Sequence, residues 1–363
     1  MEADGNSQKG DVMPKLSEVT EFTILRPDDW HCHFRQGEMA EVTLAELSRY
    51  YHRVLGMPNI KGRPIAKRED LDWYKAEMDQ ICERLGLKLR PYYMLMLQDE
   101  TSYREVEVAR QLFGCLIAFK CYLQGTTTNS GDGVSDLWSP RFHEIFYLMQ
   151  DHQIPLSIHL EEPGSYDELA EAEALWRLEQ LHERYPRLKI VMEHVSTMAG
   201  VELIKKMPDN IVGTLAIQHV LLLTEDARRN PHLLCKPIAK TPHDREAVIQ
   251  AALSGSRKFF MGNDTAGHSR ELKEQADESK RPSGIWNAST AFPLWVDLFE
   301  QRGATTEQLQ FFVSEAGAQF YHLRRGDDRM LHMAKRSWIV PGSYGDNLVV
   351  PLWAGKEISW QAV

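Results

Sequence analysis

The sequence lacks most of the features that mark secreted and membrane proteins. Its cysteines are odd in number and include no Cys-x-x-Cys pair, which predicts reduced thiols and a cytoplasmic location. They are Cys32, Cys82, Cys115, Cys121 and Cys235. The longest apolar run, residues 211–223, is interrupted by Gln218 and His219 and is too short to cross a bilayer. Residues 1–15 are polar, so neither a signal peptide nor a transit peptide is expected.

Basic residues are also in deficit. The chain has 42 Lys and Arg against 52 Asp and Glu, a formal net charge of −10. The sequence has no cluster of basic residues that could bind a row of phosphate groups, so we expect neither a nucleic-acid partner nor a membrane partner. An anionic small molecule would need local cations or metal ions to bind against this overall field.

The length and composition are those of an ordinary globular protein, with 363 residues of which 43% are hydrophobic. Residues 1–18 are expected to be a disordered tail in front of a single domain that spans residues 19–363. Strand and helix patterns then alternate roughly eight times, which predicts an α/β fold of the (β/α)8 TIM-barrel type. An open doubly wound sheet is the alternative, but no Gly-rich turn follows the first strand. Residues 338–360 are expected to pair with residues 21–25 in a small accessory sheet formed by the chain ends.

The first barrel strand ends in His31-Cys32-His33. Alternate side chains of a strand share a face, so both imidazoles point the same way and Cys32 points opposite. Two converging imidazoles are a natural start to a zinc-type site, although two ligands alone do not hold a metal. The alternative is an edge strand with two solvated histidines.

Further polar residues recur where the predicted strands end. They are Asn59 after the second strand, Lys120 at the end of the fourth, His159 of the fifth, His194 of the sixth, His219 of the seventh and Asp264 of the eighth. In a barrel these C-terminal ends open onto one face, where catalytic groups gather. Taken singly, His159 and His194 can be core histidines, Asp264 can cap a helix, and His219 is expected to be structural. A metal site accounts for most of them together.

Lys120 lies in an apolar strand, residues 115–122. A bare ammonium there costs several kcal/mol unless it is paired. It is therefore an ion-paired or partly solvated lysine, or a desolvated amine that is partly neutral. A neutral amine can react with carbon dioxide to give a carbamate, an anionic oxygen ligand able to bridge two cations.

With these residues in place, residues 26–321 resemble dihydroorotases of the single-function, shorter-loop type in the amidohydrolase superfamily. The resemblance rests on seven motifs: Asp29-Trp30-His31-Cys32-His33-Phe34-Arg35, Met57-Pro58-Asn59, Lys120-Cys121-Tyr122 with Thr127-Thr128-Asn129-Ser130, His159-Leu160-Glu161, Glu193-His194, Cys235-Lys236-Pro237-Ile238-Ala239-Lys240, and Asp264 with His268. Any one of them alone would be weak, but the set in this order is highly specific.

The resemblance implies two zinc ions and a homodimer. His31, His33 and Asp264 would hold one zinc, His159 and His194 the other, and carboxylated Lys120 would bridge them together with a hydroxide. Asp264 would move the proton as dihydroorotate and N-carbamoyl-L-aspartate interconvert in pyrimidine biosynthesis. The implied substrate contacts are Arg35, Asn59, Thr127, Thr128, Lys236, His268 and Ser283.

Two features depart from the family pattern. The chain has Asp264-Thr-Ala-Gly-His268 where Asp-Ser-Ala-Pro-His is common, and losing the proline makes the turn at Gly267 less constrained. Residues 269–283 are also unusually charged near the expected substrate mouth. Two other functions therefore stay open: a hydantoinase or allantoinase with the same metal chemistry, and a catalytically silent paralogue that acts as a binding subunit.

Overall fold

A ring of parallel strands forms the centre of the fold. The computed structural model describes residues 14–110, 114–324 and 329–363. Its strands are β1 (Glu21–Leu25), β2 (Asp28–His33), β3 (Arg53–Gly56), β4 (Arg90–Met96), β5 (Leu116–Tyr122), β6 (Leu156–His159), β7 (Ile190–Met192), β8 (Ile211–Leu215), β9 (Phe259–Met261), β10 (Thr265–Ala266), β11 (Met330–Ile339) and β12 (Glu357–Ala362). The large sheet has the order β10-β2-β3-β4-β5-β6-β7-β8-β9, with parallel pairing throughout. β9 is the last strand of this order, and β10, which follows it after three residues, pairs with β2 at the other end, so the sheet closes into a ring. The predicted (β/α)8 barrel is therefore confirmed, and the open doubly wound sheet is excluded.

Helices follow the barrel strands and cover them. They are α1 (Gly37–Tyr50), α2 (Arg68–Arg84), α3 (Tyr103–Arg110), α4 (Pro140–Asp151), α5 (Ala170–Arg184), α6 (Met198–Lys206), α7 (Ile217–Leu221), α8 (Thr224–Arg229), α9 (Pro242–Leu253), α10 (Arg270–Glu274), α11 (Ala291–Gln301), α12 (Thr306–Gln310) and α13 (Ala316–Phe320), with short 3-10 helices at Leu16–Glu18, Pro231–Leu233 and Glu278–Lys280 and a π-helical turn at Phe311–Glu315. Local chemistry sets several starts: α4 has proline at its first position, and the Ser139 side chain accepts a hydrogen bond from the Phe142 amide.

The predicted seventh strand is wrong beyond Leu215. The chain turns at Ala216, and residues 217–221 form α7, so His219 lies on a helix instead of closing a strand. The run is mostly apolar, and residues 211–220 are all buried, so periodicity alone does not separate a buried helix from a buried strand. The Nε2–H of His219 donates to the Pro237 carbonyl at 3.0 Å, a supporting contact for the loop that carries Lys236.

The chain ends form the expected accessory sheet with a different pairing. Its order is β1-β11-β12, and β1 pairs antiparallel with residues 330–334, which precede the predicted partner segment 338–360. The end of that segment forms β12, which pairs with β11. The sheet was predictable from alternation, but the register depends on the loop that folds β12 back.

The start of the described chain lies before the predicted boundary. The expected tail, residues 1–18, falls largely outside the described residues, yet Leu16–Glu18 is helical and Leu16 is fully buried. All five cysteines are free, as predicted. Within residues 14–110, 114–324 and 329–363, no helix has both the length and the apolar character needed to cross a bilayer.

The N-terminal end of the barrel is plugged by the segment that contains α13. Ala316, Ala318 and Phe320 pack into a cluster with inward residues of the strands, such as Val191 and Phe260. The buried Lys189 at the start of β7 donates to the Phe320 carbonyl and holds the plug in place. The opposite, C-terminal mouth is left for the polar residues described below.

Gly317 is required for this plug. A Cβ at this position would lie 2.1 Å from Trp30 Nε1, inside the van der Waals limit. Gly317→Ala is therefore expected to destabilise the fold by about 1–3 kcal/mol, measured by chemical denaturation. Gly342→Ala is the matched control, since no atom lies within 4 Å of its Cβ position. Equal midpoints for the two variants would contradict this account of the packing.

Candidate metal centre and active site

Three ligand atoms meet at the C-terminal mouth of the barrel. His33 Nε2 lies 3.1 Å and His31 Nε2 3.3 Å from the same oxygen, Asp264 Oδ1. The ligand atoms of the three residues all fall within 4.8 Å of one another, and all three residues are buried. Cys32 packs instead in the hydrophobic core outside the ring. The alternation in β2 thus aims both imidazoles at one point, and they are not solvated edge residues.

Asp264 is held in place by a buried network behind it. Its backbone is left-handed, with φ of +49°, a conformation that Asp and Asn adopt more readily than most residues. The preceding Asn263 donates its amide and side-chain N–H groups to the two oxygens of Asp29, each at 2.9 Å. The Asp264 amide donates to the His31 carbonyl at 2.9 Å. These bonds bring the break between β9 and β10 against the histidine strand.

A carboxylate behind His31 orients its ring. The Nδ1–H of His31 donates to Glu193 Oε2 at 2.8 Å, which leaves Nε2 as the free lone pair facing Asp264. Glu193 also accepts from Thr214 at 2.6 Å and from Ser157. Although burial raises the pKa of Glu193, the charge of Lys120 and the contacts to His31 lower it to about 2. A histidine backed by an ionised carboxylate is a common arrangement of metal ligands.

In the second pair of histidines, His159 is also backed by a carboxylate. The Nε2–H of His159 donates to Glu161 Oε2 at 2.8 Å, so its Nδ1 is the free lone pair. That Nδ1 lies 3.1 Å from His194 Nε2. The rings of His194 and His31 have centroids 5.0 Å apart, which places this pair next to the first three ligands.

Lys120 points into the barrel, not into solvent. Its side chain is fully buried, and Nζ has no hydrogen-bond partner within the described structure. Burial lowers the pKa of Lys120 to about 8, although the charges of Glu193 and Asp264 act in the opposite direction. Nζ also lies 5.0 Å from the centroid of the Tyr122 ring. A partly neutral, unpartnered amine beside two carboxylates and four histidines is the desolvated lysine that the sequence predicted as one of two possibilities.

The protonation states of the site suit a cation. Burial lowers the pKa of His33 to about 3 and that of His194 well below its ordinary value, so both rings are neutral at pH 7. Burial raises the pKa of Asp264, but the hydrogen bond from His33 and the nearby histidines lower it to about 2. Neutral imidazoles and an ionised carboxylate are the forms that bind divalent metals. With the unpartnered Lys120 amine, the donor set fits a metal centre.

Arg35 and His268 lie beside the candidate metal ligands. Arg35 follows β2 with a left-handed backbone, φ +65°, which turns its side chain toward the mouth. Its Nε–H donates to the Gly267 carbonyl at 2.9 Å, and Nη2 lies 3.0 Å from His268 Nε2. The loss of proline at Gly267 has therefore not separated His268 from Arg35.

A polar loop, residues 124–131, covers the mouth and carries the implied contacts Thr127 and Thr128. Asn59 donates to the Thr128 carbonyl at 2.9 Å, while the Tyr122 hydroxyl donates to Asn59 Oδ1 at 3.0 Å. Thr128 also exchanges hydrogen bonds with the Ser283 backbone, donating to its carbonyl at 3.2 Å and accepting from its amide at 3.1 Å. The loop is thus joined to both sides of the site.

Most of the sequence-predicted residues line one small cavity. Its walls are His31, His33, Arg35, Asn59, Tyr122, Thr127, Thr128, His159, His194, Lys236, Asp264, Ala266, Ser283 and Gly284. Its free volume is about 20 Å³, room for about one water molecule. Of the predicted set, Lys120 and His268 do not line it: Lys120 lies beneath the floor and His268 behind Arg35. The Lys236 ammonium pairs with Asp167 at 3.1 Å, so its part in the wall depends on its backbone.

Sequence reasoning missed three members of this site. Tyr122 lies two residues beyond Lys120 on β5 and lines the cavity, and that spacing on a strand could have pointed to it. Glu161 and Glu193 were noted only as parts of motifs. Glu161 is two residues from His159, and Glu193 is next to His194. Only the fold shows that Glu161 orients the His159 ring and that Glu193 orients the His31 ring.

A closed (β/α)8 barrel with four histidines, a buried lysine and an aspartate at its C-terminal mouth defines a metal-dependent hydrolase of the amidohydrolase superfamily. The dihydroorotase of Shewanella sp. (strain ANA-3) is 35% identical over 353 residues, 94% of this chain and 99% of that protein. The chain therefore belongs to the dihydroorotase family. No protein-family model matches it.

Two solved structures agree. The dihydroorotase from Saccharomyces cerevisiae in complex with 5-fluoroorotic acid has a TM-score of 0.88 and 28% identity, covering 95% of this chain and 99% of that one. The dihydroorotase from Campylobacter jejuni has a TM-score of 0.84 and 30% identity, covering 94% of this chain and 97% of that one. The likeness spans the whole barrel and both chain ends of these relatives.

Proposed function

We propose that this chain catalyses the reversible, zinc-dependent cyclisation of N-carbamoyl-L-aspartate to L-dihydroorotate in de novo pyrimidine biosynthesis. The observation that carries the proposal is the meeting of His31, His33 and Asp264 at one barrel mouth, beside Lys120 and the pair His159 and His194. Membership of the dihydroorotase family favours this reaction over those of hydantoinases and allantoinases. The activity of that family also argues against a catalytically silent paralogue.

Six residues would hold the metal. His31, His33 and Asp264 would bind one zinc, His159 and His194 a second, and Lys120, carboxylated on Nζ, would bridge the two. The unpartnered Nζ and its lowered pKa support this role, since only the neutral amine reacts with carbon dioxide. Bound cations of this kind lower the pKa of water and polarise a carbonyl under attack.

Asp264 would be the catalytic base and acid. Its carboxylate is ionised and lies at the cavity wall, within reach of a water molecule and of a ring nitrogen in the cavity. In the hydrolytic direction it would take the proton from the attacking water and give it to the departing amide nitrogen. In the reverse direction it would take the proton from the carbamoyl nitrogen as the N–C bond of the ring forms. It would then give that proton to the hydroxyl group that leaves the carboxyl carbon as water.

Three residues would bind the substrate carboxylate. Arg35 offers a planar guanidinium suited to a carboxylate, with Asn59 and His268 beside it. The Arg35 fork is pre-oriented by the Gly267 carbonyl, so little rotamer entropy is lost on binding. Backbone groups of Lys236 and Ser283 would meet the ring amides.

The loop that carries Thr127 and Thr128 would open to admit substrate. A free volume of about 20 Å³ does not accept a six-membered ring with a carboxylate. Asn59 and the Ser283 backbone hold the loop by only a few hydrogen bonds, which are exchangeable with substrate. Closure over the substrate would then exclude water from the reacting centre.

Turnover and metal content test the proposal together. The purified chain, supplied with zinc and bicarbonate, is expected to interconvert dihydroorotate and carbamoyl-aspartate and to hold about two zinc per chain by elemental analysis. Hydantoin and allantoin are expected to be turned over far more slowly. Metal-depleted protein is the control, and its activity should return with zinc. A fully metallated sample without dihydroorotate turnover would reject the proposal in favour of a binding subunit.

Two further predictions from the resemblance accompany this proposal. The substrate is a small molecule, and the chain is expected to be a homodimer located in the cytoplasm. Light scattering of the purified protein measures its oligomeric state. Imaging of the tagged chain in its cell shows where it is located.

A further inference from the structure

The charged segment between His268 and Ser283 contains one buried lysine. Residues 270–274 form α10, whose other charged side chains are exposed or half-exposed. Lys273 is the exception, with an exposed fraction of only 2%. The sequence presents it as one of many alternating charges, and the proposed chemistry assigns it no role.

The Lys273 ammonium is held by backbone alone. Its Nζ donates to the carbonyls of Leu234 at 3.1 Å, Pro282 at 3.0 Å and Gly284 at 2.9 Å. Within the described ranges no carboxylate forms an ion pair with it, and burial lowers the pKa of Lys273 to about 7. A buried ammonium persists only where its donors are satisfied, and three carbonyls satisfy all three. The two stretches that carry these carbonyls, residue 234 and residues 282–284, are thereby joined to α10 at one atom.

Those carbonyls belong to the substrate side of the site. Leu234 leads into Cys235 and Lys236, and Pro282 and Gly284 flank Ser283 on both sides. The Ser283 carbonyl in turn accepts a hydrogen bond from His268 Nε2 at 3.0 Å. We define Lys236, His268, Ser283 and Gly284 as the substrate wall.

The substrate wall has little room to shift. Gly284 has φ of +147°, and a Cβ there would lie 2.6 Å from the Ala266 carbonyl oxygen and 2.9 Å from His268 Cδ2. Its amide donates to the Leu234 carbonyl at 2.8 Å, the same oxygen that Lys273 contacts. Small displacements of this backbone are therefore transmitted to His268 and, through Thr128, to the loop.

We propose that Lys273 is a positioning residue for substrate binding, which fixes the substrate wall by gathering three backbone carbonyls around one ammonium. The inference rests on the proposed function for the identity of the substrate. Lys273 does not line the cavity, so it acts through Ser283, His268 and the Lys236 backbone. Its removal weakens binding while the candidate metal ligands, which lie at the C-terminal ends of barrel strands and not on α10, keep their places.

The test compares two buried lysines. Lys273→Met is expected to raise KM for dihydroorotate about ten-fold, with kcat within about three-fold of the parent and zinc content unchanged. Lys189→Met is the matched control, because Lys189 is also buried and donates to a carbonyl, that of Phe320, at the opposite end of the barrel. It is expected to lower thermal stability and leave KM unchanged. Lys273→Arg keeps the cation and should recover part of the lost affinity.

Hydrogen exchange gives a readout that does not need turnover. The amides of Ser283 and Gly284 are hydrogen-bonded to Thr128 and Leu234, and their protection should fall in Lys273→Met and stay unchanged in Lys189→Met. If the parent protein does not turn over dihydroorotate, the proposed function fails while this comparison still decides the role of Lys273.

Three results would overturn the inference. They are an unchanged KM in folded, metallated Lys273→Met, a loss of zinc from that variant, and exchange that is identical in the two lysine variants. If Lys273→Met does not fold, Gly284→Ala moves the same backbone and leaves the ammonium in place. A folded Gly284→Ala with unchanged KM would then refute the substrate wall.

Discussion

Lys120→Ala is expected to lower kcat by at least about a thousand-fold and to reduce bound zinc from about two per chain to one or none. The amine is fully buried next to Glu193 and Asp264 and has no hydrogen-bond partner within the described structure. If its carbamate supplies the anionic oxygens between the two cations, alanine leaves those cations close together without the charge that holds them.

The measurement is kinetics with elemental analysis on the same sample. A short carboxylate such as propionate, added at high concentration, is expected to restore part of the activity and of the bound zinc, because it can occupy the space of the carbamate. Lys189→Ala is the control for loss of a buried lysine at the other barrel mouth. A Lys120→Ala protein that keeps two zinc ions and normal turnover would show that this amine is no ligand.

The polar residues that gather at the barrel mouth were predictable because each one breaks a pattern. A strand of a barrel is apolar inside, so a histidine or lysine at its C-terminal end is conspicuous, and parallel strands bring such ends to one face. His31 and His33 were also fixed relative to each other by strand alternation, which their shared approach to Asp264 Oδ1 bears out. For these two histidines, side-chain alternation along the strand and the position of the strand in the barrel lead to the same placement.

The supporting contacts were not predictable, because they depend on which strand lies beside which. Glu193 lies next to a ligand in sequence, yet its partner is His31, 162 residues away. Lys273 looks like a solvated charge in a charged segment, and only the fold places it under three carbonyls. In both cases the residue type is uninformative until its long-range neighbour is known.

The elements that were predicted wrongly share a cause. Residues 211–217 are almost entirely apolar and buried, so the change from β8 to α7 at Ala216 leaves no trace in the periodicity. Asp264 was expected to end the eighth strand, whereas that strand stops at Met261 and the chain pairs again only from Thr265. That break is what turns Asp264 toward the histidines, and it is stabilised by Asp29, which is remote in sequence.

Asp264→Asn is expected to lower kcat by about ten thousand-fold, at the upper end of what general acid–base catalysis contributes. Asparagine keeps the size of the side chain and tolerates the left-handed backbone at φ +49° as well as aspartate does. Alanine is a poorer test because it would strain that backbone as well. With Asn, the loss of activity reports the loss of the carboxylate charge and of its ability to carry a proton.

Zinc analysis separates the two roles of this carboxylate. Asp297→Asn is the control, since it neutralises a half-buried carboxylate that contacts the accessory sheet through Ser359, and it should leave kcat unchanged. If Asp264→Asn keeps its zinc and its folded structure but loses turnover, the proton role stands. If it keeps its zinc and more than about a tenth of kcat, the carboxylate is not the group that moves the proton. A loss of zinc in proportion to activity would reduce Asp264 to a ligand and leave the proton transfer to another titratable group near the cavity. His268, which lies behind Arg35 and donates to the Ser283 carbonyl, is one candidate.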